Sequence, residues 1–250
     1  MITARHVHVD TAWKTPQFWL LWAVLCLNVS AGIGVIGMAS PMIQEVFGGR
    51  LIDLPGVPFG ALDGAQKAQL ATVGAAFAAL LSLFNIAGRI TWASLSDYLG
   101  RKRTYFIFFA LGALLYATVP FAGRSGKVAL FAAIFCLILT MYGGGFATIP
   151  AYLADIFGTQ FVGAIHGRLL TAWSAAGILG PVLVNYIREY QIDRGIPAAQ
   201  AYNFTMYVLA ALLVVGFFCN LALRPVDERH YMTEDDLARE RGPVAAAARA

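Results

Sequence analysis

The sequence predicts an all-α membrane protein with six transmembrane helices, and three observations carry that reading. Hydrophobic residues make up 59% of the 250 positions and charged residues 13%, with a mean hydropathy of +0.66. A soluble domain carries about 25% charge, so lipid solvates this chain better than water does. The apolar residues also gather into six runs long enough to cross a hydrocarbon core of about 30 Å. Finally, the polar residues between the runs form short segments containing Gly, Pro and basic clusters. The net charge of +4 is small and lies in those loops, which fits membrane orientation and excludes nucleic-acid binding.

Taken in order, residues 1–16 form a polar lead-in with Arg5, His6, His8, Asp10 and Lys14, and with Trp13 and Trp19 at the interface. The lead-in is not expected to be a cleaved signal, because the apolar run that follows is too long and lacks a cleavage site. Phe18–Ile43 is the first span, and its Gly32, Gly34 and Gly37 admit close helix contact. Gln44–Gln69 is a polar loop. Leu70–Ser94 is the second span and Tyr105–Ala122 the third, followed by a tight turn over Gly123–Lys127. Val128–Tyr152 is the fourth span, with three glycines after Tyr142, and Ala154–Gly163 links it to the fifth span, Ala164–Tyr186. Arg188–Ala201 is a loop of mixed charge and Tyr202–Leu223 the sixth span. The membrane bundle thus covers residues 17–225, and residues 226–250 form a polar tail, partly helical or disordered.

Six spans place both ends on one side. Arg101, Lys102 and Arg103 lie on that side, with Lys14 and Arg224 beside them. The other side carries Arg124, Lys127, Arg188 and Arg194. The excess is modest, and the cluster between the second and third spans decides for cytoplasmic termini in a plasma (inner) membrane. Cys26, Cys136 and Cys219 fall inside apolar runs without metal-ligand spacing, so no metal or cofactor is expected. There is no Gly-x-Ser-x-Gly, His-Glu-x-x-His or clustered Asp/His set, which argues against an enzyme.

The link between the second and third spans reads Ala93-Ser94-Leu95-Ser96-Asp97-Tyr98-Leu99-Gly100-Arg101-Lys102-Arg103. It resembles the signature loop of the major facilitator superfamily of secondary transporters, with Ala93 in place of the usual glycine. Thr15-Pro16-Gln17-Phe18-Trp19, Gly32-Ile33-Gly34, Ser40-Pro41-Met42 and the run His166 to Trp173 are similar to the oxalate/formate antiporter and monocarboxylate transporter branch. The likeness covers Thr15 to Pro225 and is to the C-terminal six-helix half of a twelve-helix fold. It implies a substrate path between two halves near the bilayer midplane. The expected partners are therefore the lipid bilayer, a small carboxylate substrate, and a missing N-terminal six-helix half or a second copy of this chain. A gene fragment, one subunit of a split transporter and a homodimerising half all remain open.

Arg89 is the leading candidate for substrate contact. It follows Asn85 by four residues, so both lie on one helix face. It sits roughly 10 Å from the span centre, inside a half-core of about 15 Å. An intramembrane arginine faces a cavity or a partner, or snorkels to the interface. The resemblance implies that it contacts the substrate carboxylate. It also implies that Asn85 replaces the aspartate of monocarboxylate carriers, and that Trp173 replaces a lysine of oxalate carriers. A single cation favours a monocarboxylate over oxalate. Tyr142, Trp173 and Asn28 are further candidates for lining the site, each with packing as the alternative. Asp97 and Arg101 are spaced for a local ion pair, and Gly100 permits the chain reversal. By resemblance, Asp97 helps to latch one access state. Alternating access by half of an organic-anion carrier is the leading expectation; a non-transporting fragment or a structural or sensor subunit is the alternative.

Overall fold

The structure is a computed structural model and describes residues 2–247. Six helical spans are long and apolar enough to cross a membrane. A short helix α1 (Val9–Ala12) precedes α2 (Pro16–Phe47). Thr15 caps α2, its hydroxyl accepting from the Phe18 N–H at 3.4 Å, and Pro16 occupies the first turn, where a missing N–H costs nothing. Helix α2 runs past Ile43, so Gln44 and Glu45 are helical rather than in the loop. Pro41 removes one hydrogen bond, but a full break within lipid would strand more backbone groups.

Two short 3₁₀ turns, Gly48–Ile52 and Phe59–Ala61, lead to α3 (Gly64–Leu99). This helix starts before Leu70 because Asp63 and Gln66 form a reciprocal capping box with bonds of 2.8 and 3.0 Å. Gly100, at φ +83°, ends α3 in the left-handed region that glycine enters without steric cost. Helix α4 (Arg101–Arg124) begins at the next residue. Helix α5 (Val128–Phe157) also outlasts its expected end, carrying Asp155 as its last acid. The fifth span is broken into α6 (Val162–Leu169) and α7 (Thr171–Asp193), and α7 runs past Tyr186, which puts Arg188 on a helix. Helix α8 (Ala198–Ala222) is the sixth span, and α9 (Glu234–Ala247) lies in the tail.

Helices α2 and α5 are the most buried and form the centre, whereas α3 and α7 are the most exposed. Helix α3 packs along α5, α7 along α2, and α4 along α8. The Gly143-Gly144-Gly145 run explains how the centre closes. A Cβ at these positions would stand 2.5 Å from Asn85 Oδ1, Trp92 Cβ and Asn28 Oδ1, respectively. Three consecutive positions of α5 thus seat side chains from α3 and α2.

Both termini meet at one end of the bundle. The lead-in hydrogen-bonds to the end of α5 through Thr3 N to Asp155 O (3.0 Å) and Val7 N to Phe157 O (2.9 Å). It also bridges to the tail at Val7 and Tyr231. Arg168 of α6 pairs with Asp10 at 2.6 Å and holds that carboxyl below its ordinary range.

Candidate functional site

Helices α3 and α7 expose the most surface of the spans, and α3 packs along α5. Arg89 projects from α3 and is exposed. Its guanidinium carbon lies 5.6 Å from the centre of the Phe146 ring of α5, a cation–π distance. Phe146 in turn contacts Trp173 of α7, with ring centres 5.1 Å apart. Trp173 is 42% exposed. Arg89, Phe146 and Trp173 therefore bridge three helices. No ion pair among the described residues includes Arg89.

Tyr142 lies one turn before Phe146 on α5. It is half-buried, and its ring rests on Gly32 of α2, where a Cβ would meet Tyr142 Cβ at 2.8 Å. Asn28 lines a small cavity together with Tyr142, and Asn85 sits in the α3–α5 contact. Asn85, 9% exposed, is pressed against Gly143, and Asn28, 5% exposed, against Gly145. Each has a buried Oδ1 without a hydrogen-bond partner. The structure thus joins Arg89 to Trp173 through Phe146, and sets Tyr142, Asn28 and Asn85 in the helix contacts that hold α5. Phe146 was missed from the sequence; its signal was a ring one turn beyond Tyr142 on the same helix.

The α3–α4 link forms a second cluster. Arg101 bonds Asp97 across one turn. Its Nε also lies 3.9 Å from Asp155 of α5, so the link is tied to a second helix. Asp97 itself remains 62% exposed on its side chain. Lys102 donates to the Leu221 and Leu223 carbonyls at 3.1 and 2.6 Å, satisfying the C-terminal end of α8. These partners are far away in sequence, which is why spacing alone did not reveal them.

A third cluster, also missed, lies at the end opposite the termini. Arg188 of α7 forms a two-pronged pair with Glu45 of α2, with Nε to Oε2 at 3.0 Å. Tyr202 of α8 donates to the same Oε2 at 2.9 Å. The Glu45 and Arg188 side chains are 9% and 21% exposed. The sequence reading had placed both residues in loops.

The model of the Major Facilitator Superfamily matches residues 23–249. The chain belongs to that superfamily. It is 29% identical over 224 residues to the oxalate:formate antiporter of Oxalobacter formigenes, a match spanning 89% of this chain and 45% of the relative. It is 27% identical over 235 residues to apicoplast pyruvate carrier 1 of Toxoplasma gondii, spanning 90% of this chain and 37% of the relative. It is 25% identical over 165 residues to the uncharacterized MFS-type transporter YhjX of Escherichia coli, spanning 66% of this chain and 36% of the relative. These relatives agree with the branch read from the sequence. The chain spans about half or less of the length of these curated relatives. Its six spans make it a multi-pass membrane protein with half of a major facilitator fold.

Proposed function

We propose that this chain is one half of a secondary transporter for small monocarboxylates, with formate and pyruvate as the leading candidates. Arg89 carries the reading. It is an exposed cation on a spanning helix, without a carboxylate partner among the described residues. A planar guanidinium binds a carboxylate through two parallel hydrogen bonds. Phe146, Trp173 and Tyr142 supply aromatic walls and one phenol, which suits a substrate with one charge and a small apolar body. A dianion such as oxalate would leave one charge uncompensated at low dielectric, a costly arrangement. Formate and pyruvate stand in the names of two relatives, which supports a monocarboxylate; the first of these is named for oxalate as well, which makes oxalate the competing substrate in the test.

The open α3/α7 face is where a second six-helix bundle would pack, either an N-terminal half or another copy of this chain. A cation left facing lipid is expensive, and a companion bundle would convert the face into an aqueous crevice. Transport then proceeds by rocking of the two bundles about the Arg89 site. Substrate shifts the balance only as far as it binds one access state more tightly than the other. Asp97, exposed beside Arg101, is the candidate latch on the companion bundle, and Gly100 permits the turn that presents it. The positive cluster of the α3–α4 link puts both termini in the cytoplasm, with the bundle in the plasma membrane.

The test is melting of the purified protein in detergent against formate, pyruvate, lactate and oxalate. The reading expects stabilisation by monocarboxylates that disappears in Arg89→Ala. No stabilisation by any of the four in the wild type would contradict it and favour a non-transporting subunit.

A further inference from the structure

The end of the bundle opposite the termini holds a cavity of about 280 Å³ between α2, α4, α5 and α8. Its floor is apolar, built from Met42, Val119, Phe131 and Met206, and its rim carries Arg124, Gln200 and Asn203. Arg124, in the last turn of α4, is exposed and enters no ion pair among the described residues. The acid next to the cavity wall, Glu45, is already paired with Arg188 and accepts a hydrogen bond from the Tyr202 phenol. The rim is therefore net positive. The side-chain amides of Gln200 and Asn203 add N–H donors, and the first turn of α8 adds the positive end of a helix dipole.

We propose that this cavity binds an amphiphilic anion: an acidic head, carboxylate or phosphate ester, on an apolar body. The head would meet Arg124 with Gln200 and Asn203, and the body would lie on Met42, Val119, Phe131 and Met206. The volume lies near the lower limit of ordinary small-molecule pockets, about 300 Å³, so only a body of a few carbons enters. Two sources share this chemistry. One is a short-chain carboxylate from the aqueous phase. The other is the phosphodiester of an anionic lipid, with the first few carbons of one chain in the cavity and the rest running down the outer faces of α4 and α8, where Phe121 and Phe204 are 63% and 54% exposed. The site is built without Arg89 and stands apart from the transport reading.

Met42 and Met206 make the cavity observable. In protein carrying ¹³C-methyl methionine, set in phosphatidylcholine nanodiscs, Met42→Leu and Met206→Leu assign the two methyl signals. Titration with butyrate is expected to move both signals saturably, or exchange into phosphatidylglycerol nanodiscs moves them instead; the first result assigns the free anion and the second the lipid. Either response is expected to weaken roughly 10-fold or more in Arg124→Gln, the loss of a charged hydrogen bond. It should be largely retained in Arg124→Lys and unchanged in Arg89→Ala. The proposal is overturned if neither butyrate nor phosphatidylglycerol moves the two methyls. It is also overturned if Arg124→Gln responds like the wild type, or if Arg89→Ala abolishes the response.

Discussion

Two arginines on the spanning helices, Arg89 and Arg188, occupy opposite electrostatic situations. Arg188 is held by a two-pronged pair with Glu45, supported by Tyr202. Arg89 stands over the face of Phe146 and enters no ion pair among the described residues. A buried guanidinium whose valences are met inside the protein ties α2, α7 and α8 together and has little left to offer a solute. An open one on a weakly polar aromatic floor is incompletely compensated, and a carboxylate ligand completes it. The contrast separates a structural cation from a candidate binding cation within one bundle, by their partners rather than by their residue type.

The contrast predicts different failures. Arg188→Ala leaves Glu45 charged and buried, so we expect a loss of about 3–5 kcal/mol in unfolding free energy, measured by denaturant titration in mild detergent. Replacing both Glu45 and Arg188 by methionine should recover most of that loss, since the pair itself contributes little beyond satisfying its own charges. A double variant as unstable as Arg188→Ala would break the comparison. Arg89→Ala is expected to behave in the reverse way. Its melting temperature should stay near that of the wild type, while monocarboxylate binding weakens by about 1.5–3 kcal/mol, the range for a hydrogen bond to a charged group.

Smaller effects are expected at the other end of the bundle. Asp97 is well exposed, so Asp97→Asn should change stability by only about 0–1 kcal/mol; a loss several times larger would mean that the Asp97–Arg101 contact is structural after all. The smallest effect concerns Asp10. Arg168 lowers its carboxyl in the folded protein from the ordinary 3.8. Its contribution is therefore present above that value and is lost as pH falls through the lower folded value. Wild type and Asp10→Asn should differ slightly in melting temperature near neutral pH and converge in acid below 3.8.

Much of the fold was legible because lipid leaves the chain few choices. A long apolar run must be helical throughout to satisfy its own backbone, so existence and order of the spans followed from composition. Their ends did not. Helix α2 continues through Pro41 to Phe47, and α3 starts at a capping box rather than at the first long apolar stretch. These extensions brought Glu45 onto a helix opposite Arg188, a pairing across 143 residues that no local spacing reveals. The break at Leu170 was hidden too. Trp22 of α2 donates to Thr171 at 2.9 Å, and the Thr171 hydroxyl in turn donates to the Arg168 carbonyl, so a contact from another helix marks the point where α6 gives way to α7. At the site, Arg89 stood out because a charge in an apolar run is conspicuous. Phe146 did not, because an aromatic in such a run is ordinary until its neighbours are known. Asn28 and Asn85 drew notice by their polarity, and the structure buries both against the glycine run of α5 with their side-chain oxygens unpartnered.

The central claim is that the Arg89 guanidinium is the carboxylate-binding group of this bundle. Equilibrium binding of radiolabelled pyruvate or formate to purified protein, compared across wild type, Arg89→Lys and Arg89→Ala, tests it most directly. The account predicts saturable binding in the wild type, weaker binding in Arg89→Lys, and binding weakened by about 10-fold or more in an Arg89→Ala protein that melts at the wild-type temperature. Equal binding by a well-folded Arg89→Ala protein would contradict it.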